Sequence, residues 1–316
     1  MPSILYDSVE LRHLLYFRAV AEAGSFTRAA AVMGLRQPTL SQQIQQLEGK
    51  LGAPLFHRAR RMCRLTPAGE MLLPYARRVL GEMENLRQSL DDLSGLKRGS
   101  LTVAALPVLS HRVMPAAVAR FHTEHPEIRV RLLELSVDDM EAALVQGTVE
   151  MGIGYMPTGE RSLRAQLLFQ EELVAVVRAD DPLAGRETVP LEEVLRRPLL
   201  ALPPGHGTRT LTLNACAVAR RVPRFAMEIG SVEVLLRTVS ECGGPGLVPS
   251  SALWGRGREL AGCVVVRIVR PVLKRQVGFL NLHGVHTRPA AEAFVPIVRE
   301  VVKAAERGAR KNERKE

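Results

Sequence analysis

The chain has 316 residues, of which 46% are hydrophobic, and carries a formal net charge of +10 at neutral pH. This length allows two or three domains with a sizeable core, and no run of eighteen uncharged apolar residues could span a bilayer, so a membrane partner is not expected. Four cysteines stand without a CxxC pair, which argues against a zinc cage or a disulfide framework; they are Cys63, Cys216, Cys242 and Cys263.

The N-terminal segment lacks the basic start and long apolar core of a secretory signal, so we expect a cytoplasmic location.

The same segment predicts two short helices. Residues 9–23 have the apolar stripe and polar back of a helix. Gly24 ends this helix, and Ser25 is a suitable N-cap for a second helix over residues 26–33. Gly34 then supplies a turn.

A third helix begins at Gln37, and an arginine-rich hairpin over residues 55–66 follows it. One face of the helix is apolar and must be buried. The other face carries Thr, Gln and Lys, whose side chains suit base edges and phosphate oxygens. Between Arg36 and Thr66 six basic residues stand against one acidic residue, which fits phosphate neutralisation. These features predict a winged helix-turn-helix that binds double-stranded DNA. The apolar positions are Leu40, Ile44, Leu47 and Leu51.

A long helix follows the hairpin, with Thr66 as its N-cap and Pro67 at the first helical position. Its apolar residues alternate at spacings of four and three over three heptads, which is typical of a two-helix seam. We therefore expect residues 67–98 to be a dimerisation linker helix. The seam positions are Leu72, Ala76, Val79, Met83, Leu86, Leu90 and Leu93.

From Ser100 the pattern changes to alternating strands and helices, which predicts an α/β domain with a mainly parallel sheet. A final helix is expected from Arg288 to about Arg307, and residues 303–316 read as a basic, disordered tail. The predicted strands are 101–106, 128–135, 150–155, 173–177, 199–202, 246–248, 264–269 and 277–282; the predicted helices are 110–124, 137–146, 208–220 and 231–242.

The N-terminal run resembles the LysR-type transcriptional regulators. The residues that carry the resemblance are Leu11, Phe17 and Ala21, then GSFTRAAAVMGLRQPTLSQQIQQLEGKLGAPLFHR and LTPAG. It implies a winged helix-turn-helix at 1–66, the linker helix at 67–98 and an effector-binding domain at 99–302. That domain would consist of two periplasmic-binding-protein-like α/β lobes, one of about 100–168 with 273–302 and one of about 169–272, joined by two crossing strands.

The resemblance also implies the residues that contact DNA. In this interpretation Gln37 and Gln42 read adenine, whereas Thr39, Ser41 and the arginines hold phosphates. A merely solvated helix face is the competing interpretation of these side chains, and the surrounding motif favours DNA contact. The implied positions are Arg36, Gln37, Pro38, Thr39, Ser41, Gln42, Arg58 and Arg60.

A small-molecule effector is expected between the two lobes, where strand ends and helix N-termini meet. Leu106 and Val108 stand where members of this family commonly have Ser or Thr, which favours a more apolar or aromatic organic acid, its charge held by Arg209 or Thr208. A surface role is the competing interpretation of Arg209. No metal or other cofactor is expected. The candidate positions are Leu106, Val108, Ser110, Tyr155, Pro203, Thr208 and Arg209.

The sequence therefore predicts a ligand-responsive transcription regulator that is not an enzyme. It would dimerise through residues 67–95, form a tetramer through its lobes, and act on promoter DNA together with RNA polymerase. One alternative is a solute-binding or transport protein, against which the helix-turn-helix and the missing secretory signal argue. The other is an enzyme with an accessory DNA-binding domain, which would need a catalytic group of residues that the pattern does not offer.

Overall fold

The computed structural model describes residues 9–59, 62–92, 99–255, 262–285 and 287–313. The chain divides into two compact units, Met1–Gly95 with Ala142–Val149, and Leu96–Glu141 with Glu150–Glu316. The first begins as a helical domain and the second is a mixed α/β domain. No helix in the described part of the chain is long and apolar enough to cross a membrane.

Three helices open the first unit. Ser25 accepts a hydrogen bond from the Arg28 N–H at 3.4 Å, as expected for an N-cap. Gly34 has φ +64°, a conformation that glycine adopts without strain, and it makes the turn between the second and third helices. The helices are α1 (Leu11–Ala23), α2 (Phe26–Val32) and α3 (Gln37–Leu51).

The core of these helices is built on the predicted apolar face of α3. Leu40, Ile44 and Leu47 are buried as predicted, whereas Leu51, also predicted to be buried, is half-buried against the same core. The ring of Phe17 from α1 lies 5.4 Å from the ring of Phe56, centroid to centroid. Burial of such side chains removes apolar surface from water and fixes the helices against each other.

The predicted wing is a two-stranded antiparallel hairpin of β1 (Phe56–Ala59) and β2 (Met62–Leu65). Its base is tied to α3, because one Glu48 carboxylate oxygen accepts the N–H groups of Leu55 (2.8 Å) and Phe56 (3.3 Å). Thr66 caps the next helix by accepting the Gly69 N–H at 3.1 Å, as predicted. That helix is α4 (Pro67–Asp92).

From Gly99 onward the chain forms one ten-stranded sheet, whose two halves share the long strand β6 (Leu163–Arg178). The strands and helices are β3 (Gly99–Ala105), α5 (Pro107–Arg112), α6 (Met114–Glu124), β4 (Ile128–Glu134), α7 (Val137–Val145), β5 (Met151–Met156), β6 (Leu163–Arg178), β7 (Thr188–Pro190), α8 (Leu191–Val194), β8 (Leu199–Ala201), α9 (Gly207–Val218), β9 (Phe225–Glu228), α10 (Val232–Cys242), β10 (Gly246–Pro249), a 3-10 turn (Ser250–Leu253), β11 (Cys263–Val269), β12 (Lys274–Leu282) and α11 (Pro289–Glu313).

The strand order is β4-β3-β5-β12-β6-β10-β8-β9, with β11 on β6 and β7 on β11. The outer strands pair in parallel: β3 with β4 and β5, β8 with β9 and β10, and β7 with β11. The central pairs of β6 with β10, β11 and β12, and of β12 with β5, are antiparallel. The prediction of a mainly parallel sheet is therefore wrong at the centre, where chain segments far apart in sequence cross between the halves.

Several predicted boundaries differ from the structure. The helix predicted over 110–124 is two helices that meet at Val113, since Pro115 in the first turn of α6 cannot donate a backbone hydrogen bond to α5. The strand β6 begins ten residues before the predicted start, and these first residues pair with β12, which is distant in sequence. The predicted disordered tail is wrong up to Glu313, since residues 303–313 continue α11 through a run rich in good helix formers.

Candidate functional site

The predicted DNA-contacting residues of the third helix lie together at its N-terminal turn. Arg36 is the N-cap, and Gln37, Pro38 and Thr39 follow it on the surface with Gln42 one turn later. Ser41 is half-buried. The turn lies opposite the buried apolar face of α3, so these polar groups are available to a ligand while the helix is held from behind. An exposed helix start of this kind can enter a major groove and reach base edges.

Charge around this surface favours a polyanion. Glu48, the acidic residue of α3, accepts backbone N–H groups of the wing. On the wing, His57 and Arg64 are cross-strand neighbours and both are exposed. Arg64 is thus a basic wing residue that the motif alone did not single out. The predicted contacts Arg58, whose backbone belongs to β1, and Arg60 have side chains outside the described residues.

The heptad positions of α4 fall into two groups. Leu72 and Ala76 pack on the core of the helical domain. Val79, Met83 and Leu86 are 40%, 45% and 53% exposed, so an apolar stripe continues along the surface of the helix. The side chain of Leu90 and all of Leu93 lie outside the described residues. The predicted seam therefore has its first two positions inside the domain and its next three available to a partner.

Leu106, Val108 and Ser110 are all buried at the end of β3 and the start of α5. Val108 belongs to an apolar cluster that also contains Leu202 and Val232 from the other half of the sheet. The Ser110 hydroxyl donates to the Ala105 carbonyl at 3.4 Å. These three predicted effector positions therefore lie in the protein interior. The Ser110 hydroxyl is bonded to the backbone and does not face a ligand site.

Tyr155 and Thr208, from β5 and the first turn of α9, come together, and Pro203 lies half-buried on the loop before that helix. A Cβ atom added at Gly207 would lie 2.3 Å from the Tyr155 ring, so the ring rests directly on the helix start. Desolvation raises the pKa of Tyr155 to about 12, against smaller lowering effects of the nearby Arg275 and Thr208 side chains. The phenol therefore stays protonated and can donate a hydrogen bond.

Arg209, the arginine expected to hold the effector's charge, has other partners. Its guanidinium donates to the Leu202 carbonyl and to Glu228, both at 3.2 Å. It also lies 3.4 Å from the centroid of the Phe225 ring. These contacts tie α9 to β9, and they favour a structural role for Arg209 over the predicted ligand contact.

Arg275 is the basic residue that sequence reasoning missed. It begins β12 with 9% of its side chain exposed, and its Nε donates to Glu171 Oε1 at 2.5 Å. The guanidinium lies 3.8 Å from the centroid of the Tyr155 ring. Its two terminal nitrogens are buried and have no hydrogen-bond partner among the described residues, as is also true of the Thr208 hydroxyl. The predicted strand began two residues after Arg275, so its inward direction could not be read from the alternation.

The described residues contain neither a metal-binding cluster nor a disulfide bond. No group of three His, Cys, Asp or Glu side chains in them could hold a metal ion. Cys63, Cys216, Cys242 and Cys263 are free thiols, and burial raises the pKa of Cys63, Cys216 and Cys263.

Two family models match separate segments of the chain. Residues 11–70 match the model of the bacterial regulatory helix-turn-helix protein, lysR family, and residues 94–303 match the LysR substrate binding domain. The chain is 33% identical to the uncharacterized HTH-type transcriptional regulator YdcI of Escherichia coli over 79% of this chain and 82% of that protein. It is 28% identical to the DNA-binding transcriptional dual regulator OxyR of Escherichia coli, over 92% and 95%.

Solved structures include a similar chain bound to DNA. Full-length CbnR in complex with its target DNA has a TM-score of 0.65 and 27% identity, over 93% of this chain and 100% of that chain.

Proposed function

The chain belongs to the LysR family of transcriptional regulators, with a helix-turn-helix DNA-binding domain and an effector-binding domain, and we propose that its DNA contacts come from the start of α3 and the wing. The observation that carries this proposal is the exposed polar turn of α3, Arg36 to Gln42, set opposite a fully buried apolar face. Gln37 and Gln42 read bases in the major groove, while the wing arginines bind phosphates on the flanking backbone. The complex of CbnR with its target DNA supports this assignment by analogy.

The regulator acts as a homodimer joined through α4. The exposed stripe of Val79, Met83 and Leu86 supplies apolar surface that a second copy of the helix would bury. Dimers then associate into tetramers through their effector-binding domains. Support for this comes from apolar side chains on α9, β9 and the loop between them, which are exposed on a single chain. They are Leu213, Val218, Val222 and Met227.

The effector is a small organic acid, bound within the α/β domain where the two halves of the sheet meet. Both halves share β6, and β12 begins beside it, so a ligand at this place contacts segments that join the halves. Effector binding favours one arrangement of the two halves of the sheet. This shift changes the affinity of the dimer for its promoter and the bend that it imposes on the DNA. The altered promoter complex acts on RNA polymerase in the cytoplasm. The protein itself catalyses no reaction.

Footprinting tests the DNA-binding assignment. The purified full-length chain should protect two half-sites in DNA selected from a random pool, spaced by whole helical turns as a two-fold symmetric dimer requires. Protection of a single half-site, or uniform affinity for all sequences at physiological salt, would contradict the proposal.

A further inference from the structure

One half of the Arg275 guanidinium is paired and the other half is not. Nε faces Glu171, whose second oxygen accepts the Ser251 hydroxyl, so the carboxylate is held from both sides. Nη1 and Nη2 are buried with no acceptor within the described ranges. Buried polar groups in folded proteins are nearly always hydrogen-bonded, and an unsatisfied donor on a charged group is especially costly. This side of Arg275 is therefore available to an acceptor that the described residues do not supply.

Two further donors, the Thr208 hydroxyl and the Tyr155 phenol, lie next to each other. The Thr208 hydroxyl is 2% exposed and lacks a partner in the described part of the chain. It lies in the first turn of α9, a twelve-residue helix whose N-terminus carries partial positive charge. Tyr155 lies between this helix start and Arg275, in contact with both. Its phenol remains protonated at neutral pH because burial disfavours the charged form.

We propose that Arg275, Thr208 and Tyr155 form a receptor for one oxyanion group, a carboxylate or an inorganic oxyanion of single charge. The planar guanidinium offers two parallel N–H groups, the geometry that binds two oxygens of one acceptor. Glu171 already balances one positive charge, and so a monoanion suits the site better than a dianion. That this anion is the regulatory effector rests on the proposed function, and the receptor replaces Arg209 as the group that holds the effector's charge.

Oxyanion binding can be measured on the full-length protein with simple probes. Sodium acetate and sodium benzoate represent organic carboxylates, and sodium nitrate and sodium sulfate represent inorganic oxyanions, each compared with sodium chloride at equal ionic strength. Melting temperature is one readout, since a ligand of the folded state stabilises it by mass action. Trp254 fluorescence is the second. This single tryptophan packs on Phe169 and lies three residues after Ser251, which bonds Glu171.

We expect saturable changes with a monovalent oxyanion and only the general salt response with chloride. Saturation by acetate or benzoate alone identifies an organic carboxylate site, and saturation by nitrate identifies an inorganic oxyanion site; both outcomes support the receptor. A site that prefers sulfate would overturn the single-charge assignment. If no probe differs from chloride, the receptor proposal is wrong.

Variants separate binding from folding. Thr208→Val keeps the shape and removes only the unpartnered hydroxyl, so it should fold and bind the active probe about tenfold more weakly, the usual effect of one hydrogen bond to a charged group. The pair Arg275→Gln with Glu171→Gln removes both buried charges together and should abolish saturation. Arg267→Gln is the matched control, because exposed Arg267 pairs with the neighbouring Glu172 and does not face Tyr155.

Unchanged probe affinity in Thr208→Val would overturn the assignment of Thr208, whether or not the double variant folds. Unchanged affinity in a folded double variant would overturn the receptor as a whole. DNA binding is measured in parallel on the same proteins. If the wild-type protein binds specific DNA but no oxyanion, only this inference is contradicted. If the wild-type protein does not bind specific DNA, the proposed function is contradicted.

Discussion

Arg288 and Glu150 form an ion pair inside the α/β domain, with 2.7 Å between Nη1 of the arginine and Oε1 of the glutamate. Both side chains are nearly buried. The arginine also donates to the Ser100 carbonyl at 2.8 Å, and the glutamate accepts the Thr102 N–H at 3.0 Å. One pair thus joins the start of α11 to strands β3 and β5, where the chain enters and leaves this domain.

Replacement of Arg288 by Met should destabilise the α/β domain by about 3–5 kcal/mol, since it leaves a buried carboxylate without its cation. The double variant with Glu150→Gln should recover part of this loss. Arg131→Met removes an exposed arginine from β4 and should stay within about 0.5 kcal/mol of wild type. Urea denaturation gives the free energy of unfolding of all three variants. A loss below about 1 kcal/mol for Arg288→Met would show that the pair adds little.

Gly207→Ala should destabilise the same domain by about 1–3 kcal/mol, the usual cost of forcing an extra methyl group into packed surroundings. The new Cβ would lie 2.3 Å from the Tyr155 ring, which would have to move. Gly230→Ala is the control, because nothing lies within 4 Å of its Cβ position. Thermal unfolding compares the two. Equal melting temperatures would mean that the Tyr155 ring is not held against the helix start.

The helix-turn-helix could be predicted from sequence because its structure depends on local signals. The spacing of Leu40, Ile44 and Leu47 defines one helix face, Gly34 permits the turn, and Thr66 caps the next helix. Each of these signals acts within a few residues. The wing hairpin joins neighbouring segments as well, so its pairing is readable without the rest of the fold.

The receptor site could not be predicted in the same way. Arg275 and Glu171 are 104 residues apart in the chain and meet only because β12 and β6 pair antiparallel. The family resemblance offers Arg209 or Thr208 as the group that holds the effector's charge, yet the Arg209 guanidinium is bound to Leu202 and Glu228. Tyr155 and Thr208 were identified because they end a strand and begin a helix. The arginine that joins them depends on tertiary structure alone.

Gln37→Ala and Arg58→Ala should change DNA binding in different ways. Loss of Gln37 should relax base preference at one position by about 1–3 kcal/mol, since its amide would pair with a base edge. Loss of Arg58 should weaken binding to all sequences and reduce the salt slope by about one unit. Arg12→Ala, at an exposed arginine of α1 paired with Glu10, controls for net charge. Equal losses on every sequence for both variants would refute these separate roles.

Met83→Glu should break the dimer. The residue lies in the middle of the exposed α4 stripe, and a two-fold seam would bury the new charge in both copies. Burial of unpaired carboxylates costs several kcal/mol, so the dimer dissociation constant should rise by about 100-fold or more. Sedimentation equilibrium measures it. Arg78→Glu introduces the same side chain on the same helix outside the stripe and should remain dimeric. Dimers of unchanged strength in Met83→Glu would exclude this seam.

Acidification should weaken the α/β domain partly through His206. Desolvation, and to a smaller degree the Arg275 charge, lower the pKa of His206 below its ordinary 6.5. Its neutral Nδ1 accepts the Thr208 N–H at 3.3 Å, so the folded state resists a proton that the unfolded chain takes up near pH 6.5. Stability from this group is therefore complete above about pH 6.5, declines as the pH falls below that value, and levels off once the folded-state pKa has been passed.

The substitution His206→Asn isolates this contribution. Asparagine keeps an acceptor for the Thr208 N–H but does not titrate, so the fall in melting temperature of the α/β domain between pH 7.5 and 5.5 should be smaller than in wild type by about 1–3 °C. His122→Asn, at an exposed histidine of α6, should behave as wild type does. His13 also has a lowered pKa, first from desolvation, but it lies in the helical domain. An unaltered pH dependence in His206→Asn would show that the helix cap does not need the neutral imidazole.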